Sequence, residues 1–175
     1  METIKEILNS KRKPGEKVSA SAEIILKDHY LFKELMKILE TGTDIEKGNC
    51  ADIMKHVTAE KPEIAEPYID DLIKYINHKI PRVKWGVPES IGNIAKKHSE
   101  KVEKAIPYLF KNTVENKDNS TVIRWCSAYA LSEIAKASRK QELLNQIEEA
   151  AKKETNNGVR NVYLKAIKEV NKDKS

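Results

Sequence analysis

Most of what would point to a chemistry is missing from this chain of 175 residues. It has two cysteines, Cys50 and Cys126, far apart and in no C-x-x-C pair. A disulfide framework and a dithiol redox site are therefore excluded. Both thiols fall on apolar helical faces, the usual place of buried free cysteines in a reducing compartment. The four histidines, His29, His56, His78 and His98, show no ligand spacing with one another or with the cysteines. Not even an i, i+4 pair occurs, so no zinc site is expected. No glycine-rich phosphate loop is present, and no serine stands in a nucleophile-elbow context. The expectation is no metal and no cofactor. Six glycines and six prolines are too few for a disordered chain. No apolar run approaches the roughly 18 residues that span a bilayer. The first residues, Met1 to Lys5, carry no apolar signal segment. A cytoplasmic protein with no membrane contact is the default expectation.

What is present is a repeat. The stretch Ile123-Arg124-Trp125-Cys126-Ser127-Ala128-Tyr129-Ala130-Leu131-Ser132-Glu133-Ile134-Ala135 has close counterparts starting at Val83 and Val159 and a weaker one at Glu46. The cations in these copies, Lys47, Lys84, Arg124 and Arg160, are spaced 37, 40 and 36 residues apart. A period in this range signals stacked units. Apolar residues recur at helical spacing throughout, and no strand alternation competes. The pattern predicts helices over 2–9, 18–27, 30–40, 45–57, 64–77, 83–97, 102–115, 121–137, 141–154 and 159–170. Pro14-Gly15 is expected to lie in a turn over 10–17. Asp44 is the expected N-cap of the helix from Ile45. Pro88 predicts a kink, or a later start near Val87, and Pro67 and Pro107, 40 residues apart, suggest a bend in the first helix of two units. The lysine-rich C-terminal end is expected to fray. The chain thus divides into capping helices over 1–28 and units over 29–62, 63–101, 102–141 and 142–175, all within one domain.

Each unit pairs an apolar first helix with a second helix that opens on an apolar residue plus Arg or Lys and closes on Leu/Ile-x-x-Ile-Ala. This resembles a HEAT repeat, over about residues 29–170. The resemblance implies an all-α, right-handed α-α superhelix, a solenoid of about four helix pairs plus a partial N-terminal repeat, with the second helices lining a concave face. It also implies a ladder between units, formed by a turn acid and an Arg or Lys a few residues later. Asp118 with Arg124 fits that pattern, and Glu154 with Arg160 fits it more loosely. In earlier units His78 and Thr41 stand where the acid would be.

The candidate site lies on the second helices. Trp85 and Trp125 hold equivalent positions, Glu89 and Tyr129 follow one turn later, and Lys47, Lys84, Arg124 and Arg160 stand beside them. Aromatic anchors with arginine are what a protein-binding hot spot uses, and the same set suits stacking on unpaired bases. Net charge is +5 with a pI near 9.0, which permits an acidic partner, nucleic acid included. Trp85 and Glu89 on one helix face also resemble, in outline, the HEAT-like DNA glycosylases for alkylated bases. Pro88 within that helix and Gly48 in the preceding unit depart from the pattern. The expected function is a non-catalytic scaffold that binds a protein through its concave face, with nucleic-acid binding as the alternative.

Overall fold

Helix starts in this chain are written by side chains that satisfy free backbone N–H groups. The hydroxyls of Thr3, Thr43 and Ser120 and the amide oxygen of Asn156 accept from Glu6, Glu46, Ile123 and Val159 N–H. They open helices α1 (Ile4–Asn9), α4 (Asp44–Glu60), α8 (Thr121–Ser138) and α10 (Asn157–Lys172). Thr43, not Asp44, is the cap of α4, and Glu46 reaches back to the Thr43 N–H to complete a capping box. Pro14 and Pro81 take the first positions of α2 (Pro14–Lys27) and α6 (Pro81–Val102), where a missing N–H leaves nothing unpaired. Pro14-Gly15 therefore opens a helix instead of lying in the expected turn. The remaining helices are α3 (Leu31–Thr41), α5 (Ile69–Ile73), α7 (Ile106–Phe110) and α9 (Gln141–Lys153).

The structure, a computed structural model, describes residues 2–174 except 114, 115 and 117. The expected end of the helix over 102–115 and part of the following turn thus lie outside the described residues. Two expected helices are shorter than their periodicity predicts. The segment over 64–77 is broken into single 3₁₀ turns, Pro62–Ile64 and Glu66–Tyr68, followed by α5. The segment after Val102 is a 3₁₀ turn, Glu103–Ala105, followed by α7. Pro62 and Pro67 lack a donor and each sits in the first positions of a 3₁₀ turn, and Pro107 sits in the first turn of α7, where its missing N–H costs nothing. Pro88 does not break α6. The one residue with non-helical backbone inside that helix is His98 (φ −134°, ψ 48°).

The described residues form helices only, packed against one another, with no strand. The second helices lie in a row: α2 packs on α4, α4 on α6, α6 on α8 and α8 on α10. Each first helix packs on its own second helix, α3 on α4, α7 on α8 and α9 on α10, and α5 on α6 likewise. One apolar core runs through them, from Ile4 to Val170. Leu72, Ile91, Leu131 and Ile134 are fully buried in it, and each contributes about 1.5–3 kcal/mol relative to an exposed side chain. Glycine brings α6 against its neighbours. A Cβ on Gly86 would come within 2.9 Å of the Ala51 Cβ and 3.0 Å of its carbonyl oxygen. No helix among the described residues is long and apolar enough to cross a membrane.

Gly86→Ala is expected to destabilise the protein by about 1–3 kcal/mol in urea unfolding, because overpacking against backbone outweighs the gain of about 1 kcal/mol in helix propensity. Gly15→Ala, with nothing within 4 Å of the added methyl, is the control and is expected to be neutral or slightly stabilising.

Candidate interaction face

The outward edge of α4, α6 and α8 is built from the bottom by one buried amide. Asn93, 6% exposed, stands among the apolar residues of α6. Its Nδ2 donates to Thr58 Oγ1 on α4 (3.1 Å), and its Oδ1 accepts from the Tyr129 hydroxyl on α8 (2.7 Å). Three helices are thereby tied through one side chain. Next to it, Gly92 leaves the space that the Tyr129 ring fills, since a Cβ there would lie 2.7 Å from the ring. Burial raises the Tyr129 phenol above its ordinary pKa, so it stays a neutral donor.

Trp125, four residues before Tyr129 on the same helix face, stacks on it with ring centroids 5.7 Å apart and planes 3° from parallel. Lys96 Nζ stands 5.6 Å from the Tyr129 centroid, within cation–π range. Trp125 is 39% exposed, and Val122, one turn earlier on α8, is 50% exposed. The structure thus brings together Trp125 and Tyr129. Trp85 is half-buried on α6 and makes no aromatic ring contact among the described residues.

Charge on this edge is paired. Arg82 bonds Asp52 and donates to Asn49 (3.0 Å). Lys55 sits between Asp52 (3.9 Å) and Glu89 (3.8 Å). The Cys126 thiol also points at Glu89, at 3.8 Å. Lys136 pairs with Glu133 (2.6 Å) and with Glu169 of α10 (3.7 Å).

The four repeat cations are engaged with the chain itself. Lys47 donates to the Glu40 carbonyl (2.9 Å). Lys84 donates to Asn119 Oδ1 (2.7 Å). Arg124 donates to the Asn119 carbonyl (2.7 Å) and makes a two-pronged pair with Glu154 (3.0 and 3.2 Å). Arg160 donates to the Glu154 carbonyl (3.0 Å) and to Asn157 Oδ1 (3.1 Å). The cation of one unit thus meets the turn acid of the next, and Asp118 takes no part in the pair. The acid is Glu154, 30 residues on, and the Asp118 side chain is exposed. Glu154 in turn meets Arg160 through its backbone carbonyl, not its carboxylate. Asn119, Lys96, Lys55 and Asn93 escaped the sequence reading. Only Asn93 left a signal, as a lone polar residue in the apolar run Ile91-Gly92-Asn93-Ile94.

Among the described residues, no group of three or more His, Cys, Asp or Glu could hold a metal. His78 Nδ1 accepts from the Ile80 N–H (3.1 Å), and burial lowers its pKa. Burial pushes both thiols up to about 12. What the fold and this edge define is an all-helical protein with an aromatic pair on a charge-paired helical face. No protein-family model matches the chain, and no curated protein matches its sequence.

Glu154 is 1% exposed, so Arg124→Met strands a buried carboxylate and is expected to cost about 3–5 kcal/mol in urea unfolding. Arg124→Met combined with Glu154→Leu is expected to recover most of that loss. A thiol held near 12 is no nucleophile: at pH 8 the native protein is expected to be inert to Ellman's reagent, with both cysteines reacting once urea unfolds it.

Proposed function

We propose that the chain is a HEAT-like, right-handed α-solenoid that acts as a non-catalytic, cytoplasmic scaffold. It binds a protein partner on the face formed by α4, α6, α8 and α10. In that arrangement the face is the concave wall, the units are those over 29–62, 63–101, 102–141 and 142–175, and 1–28 caps the stack. The row of second helices, each backed by its own first helix, supports the solenoid reading.

The observation that carries the binding reading is the Trp125–Tyr129 stack, with Trp125 and Val122 both turned to solvent. A large aromatic ring, held rigid and left exposed, is the usual anchor of a protein interface. The paired charges favour protein over nucleic acid. Sequence-independent nucleic-acid binding draws its affinity from cations free to neutralise phosphates. Here Arg82, Lys55 and Lys136 are each neutralised by a carboxylate. Glu89, the acid of the glycosylase-like alternative, is held by Lys55 and the Cys126 thiol, which favours a structural part for it over base chemistry.

The test is photo-cross-linking in cells with a photoreactive phenylalanine at position 122, and at position 148 on α9 as control. Discrete protein adducts from position 122 that vanish with Trp125→Ala are expected. Equal labelling from both positions, or none from position 122, would sink the reading. An oligothymidylate titration at two salt concentrations is expected to show no binding of the steeply salt-dependent kind.

A further inference from the structure

We propose that this face takes an acidic peptide segment, with one apolar side chain seated on Trp125 and a carboxylate on Lys96. The inference rests on the reading of the face as a protein-binding surface and names the partner's chemistry.

Three observations on different residues support it. The first is preorganisation. Trp125 is backed by a parallel Tyr129 ring, Tyr129 is fixed by Asn93, and Asn93 is fixed by Thr58. A side chain that lands on Trp125 meets a surface already ordered, so little further entropy is lost on binding.

The second is the charge left over once internal pairs are made. The carboxylates nearest the ring pair already have a cation: Asp52 has Arg82, Glu89 has Lys55, and Glu133 has Lys136. Lys96 is exposed and makes no salt bridge among the described residues; it stands over the Tyr129 ring, is hydrogen-bonded to the Tyr129 side chain and is drawn towards Glu133. Lys165 and Lys168, exposed on the neighbouring α10, make no ion pair among the described residues. The unspent charge is therefore positive, and it borders the aromatic pair. A carboxylate arriving at Lys96 adds a charge-assisted hydrogen bond to an ammonium that no salt bridge holds.

The third is shape. Towards α2 the same face opens into a recess of about 430 Å³, lined by Gly15, Asp52, Lys55, His56 and Arg82 among others. Lys55 links it to the platform through Glu89, which the Cys126 thiol of α8 also contacts. An extended segment can run from the ring pair into that recess. A nucleic-acid strand fits less well, because it needs a row of free cations for successive phosphates, and Arg82, Lys55 and Lys136 on this edge are already paired. A peptide can place an acid at Lys96 and neutral residues elsewhere.

The experiment pans a library of short random peptides on the intact chain. The enriched sequences are then measured by fluorescence polarisation against the native protein and the Trp125→Ala, Lys96→Glu and Lys152→Glu variants. Trp125 and Lys96 are exposed, so these variants keep the fold, which a circular-dichroism melt verifies. Enriched peptides are expected to carry an excess of Asp and Glu around a Leu, Phe or Trp. Trp125→Ala is expected to weaken them about tenfold or more, and Lys96→Glu about fivefold, the latter shrinking at high salt. Lys152→Glu, on α9, is expected to change nothing. Peptides that depend on Trp125 but show no acidic excess overturn the acidic chemistry and leave the protein-binding reading standing. Peptides indifferent to Trp125→Ala overturn both. No enrichment overturns the peptide proposal, and the cross-linking at position 122 then decides the wider reading alone. An oligothymidylate that binds and is lost with Trp125→Ala replaces both with single-strand binding.

Discussion

A buried carboxylate has to be neutralised, and in this chain the requirement joins one helix pair to the next. Glu154 is almost wholly enclosed at the end of α9. Its cation, Arg124, comes from the start of α8, in the unit before. Arg124 also holds the Asn119 carbonyl, and the Asn119 side chain receives Lys84 from the unit before that. Arg160 closes the far end on the Glu154 carbonyl. The result is a line of hydrogen bonds through successive turns. It fixes where α6, α8 and α10 begin relative to one another, and hence which of their residues share an outer edge. Removing any cation from it leaves a buried acceptor without a donor, the costly half of a broken polar contact.

The same bonds leave the repeat cations little freedom to face outward. Residues at equivalent places in successive units look like a binding stripe. A donor at the start of a second helix is, however, within reach of two turns and tends to be consumed by them. Lys96, near the other end of α6, faces outward without a salt bridge, whereas its counterpart 40 residues on, Lys136, is paired with Glu133 and Glu169.

The helices of the row were legible because each carries a long apolar stripe, and α4, α8 and α10 also carry a capping side chain. The start of α8 at Thr121 and the extent of α9 follow directly from periodicity. The first helices of the middle units were not, because apolar spacing survives a proline that the backbone cannot. Ile69, Leu72, Ile73 and Ile76 keep helical spacing, and all are buried, yet α5 covers only Ile69–Ile73. Of the candidate site, Trp125 and Tyr129 were found as an i, i+4 pair. Their support was not, since Asn93 and Gly92 act on them from 36 and 37 residues away. Arg124 was found as a ladder cation, but its acid, Glu154, lies 30 residues on, beyond the reach of a local pattern.

The cross-unit bonds also set where this chain can be cut and rejoined. Repeat proteins are commonly shortened or shuffled at the link between units. Here the groups that belong together are a second helix and the turn of the following unit. A cassette from Pro81 to Asn119 keeps Lys84 with its acceptor, and one from Ser120 to Asn156 keeps Arg124 with Glu154. The hydrogen-bonded groups of this molecule are therefore about half a period out of phase with the repeat in its sequence.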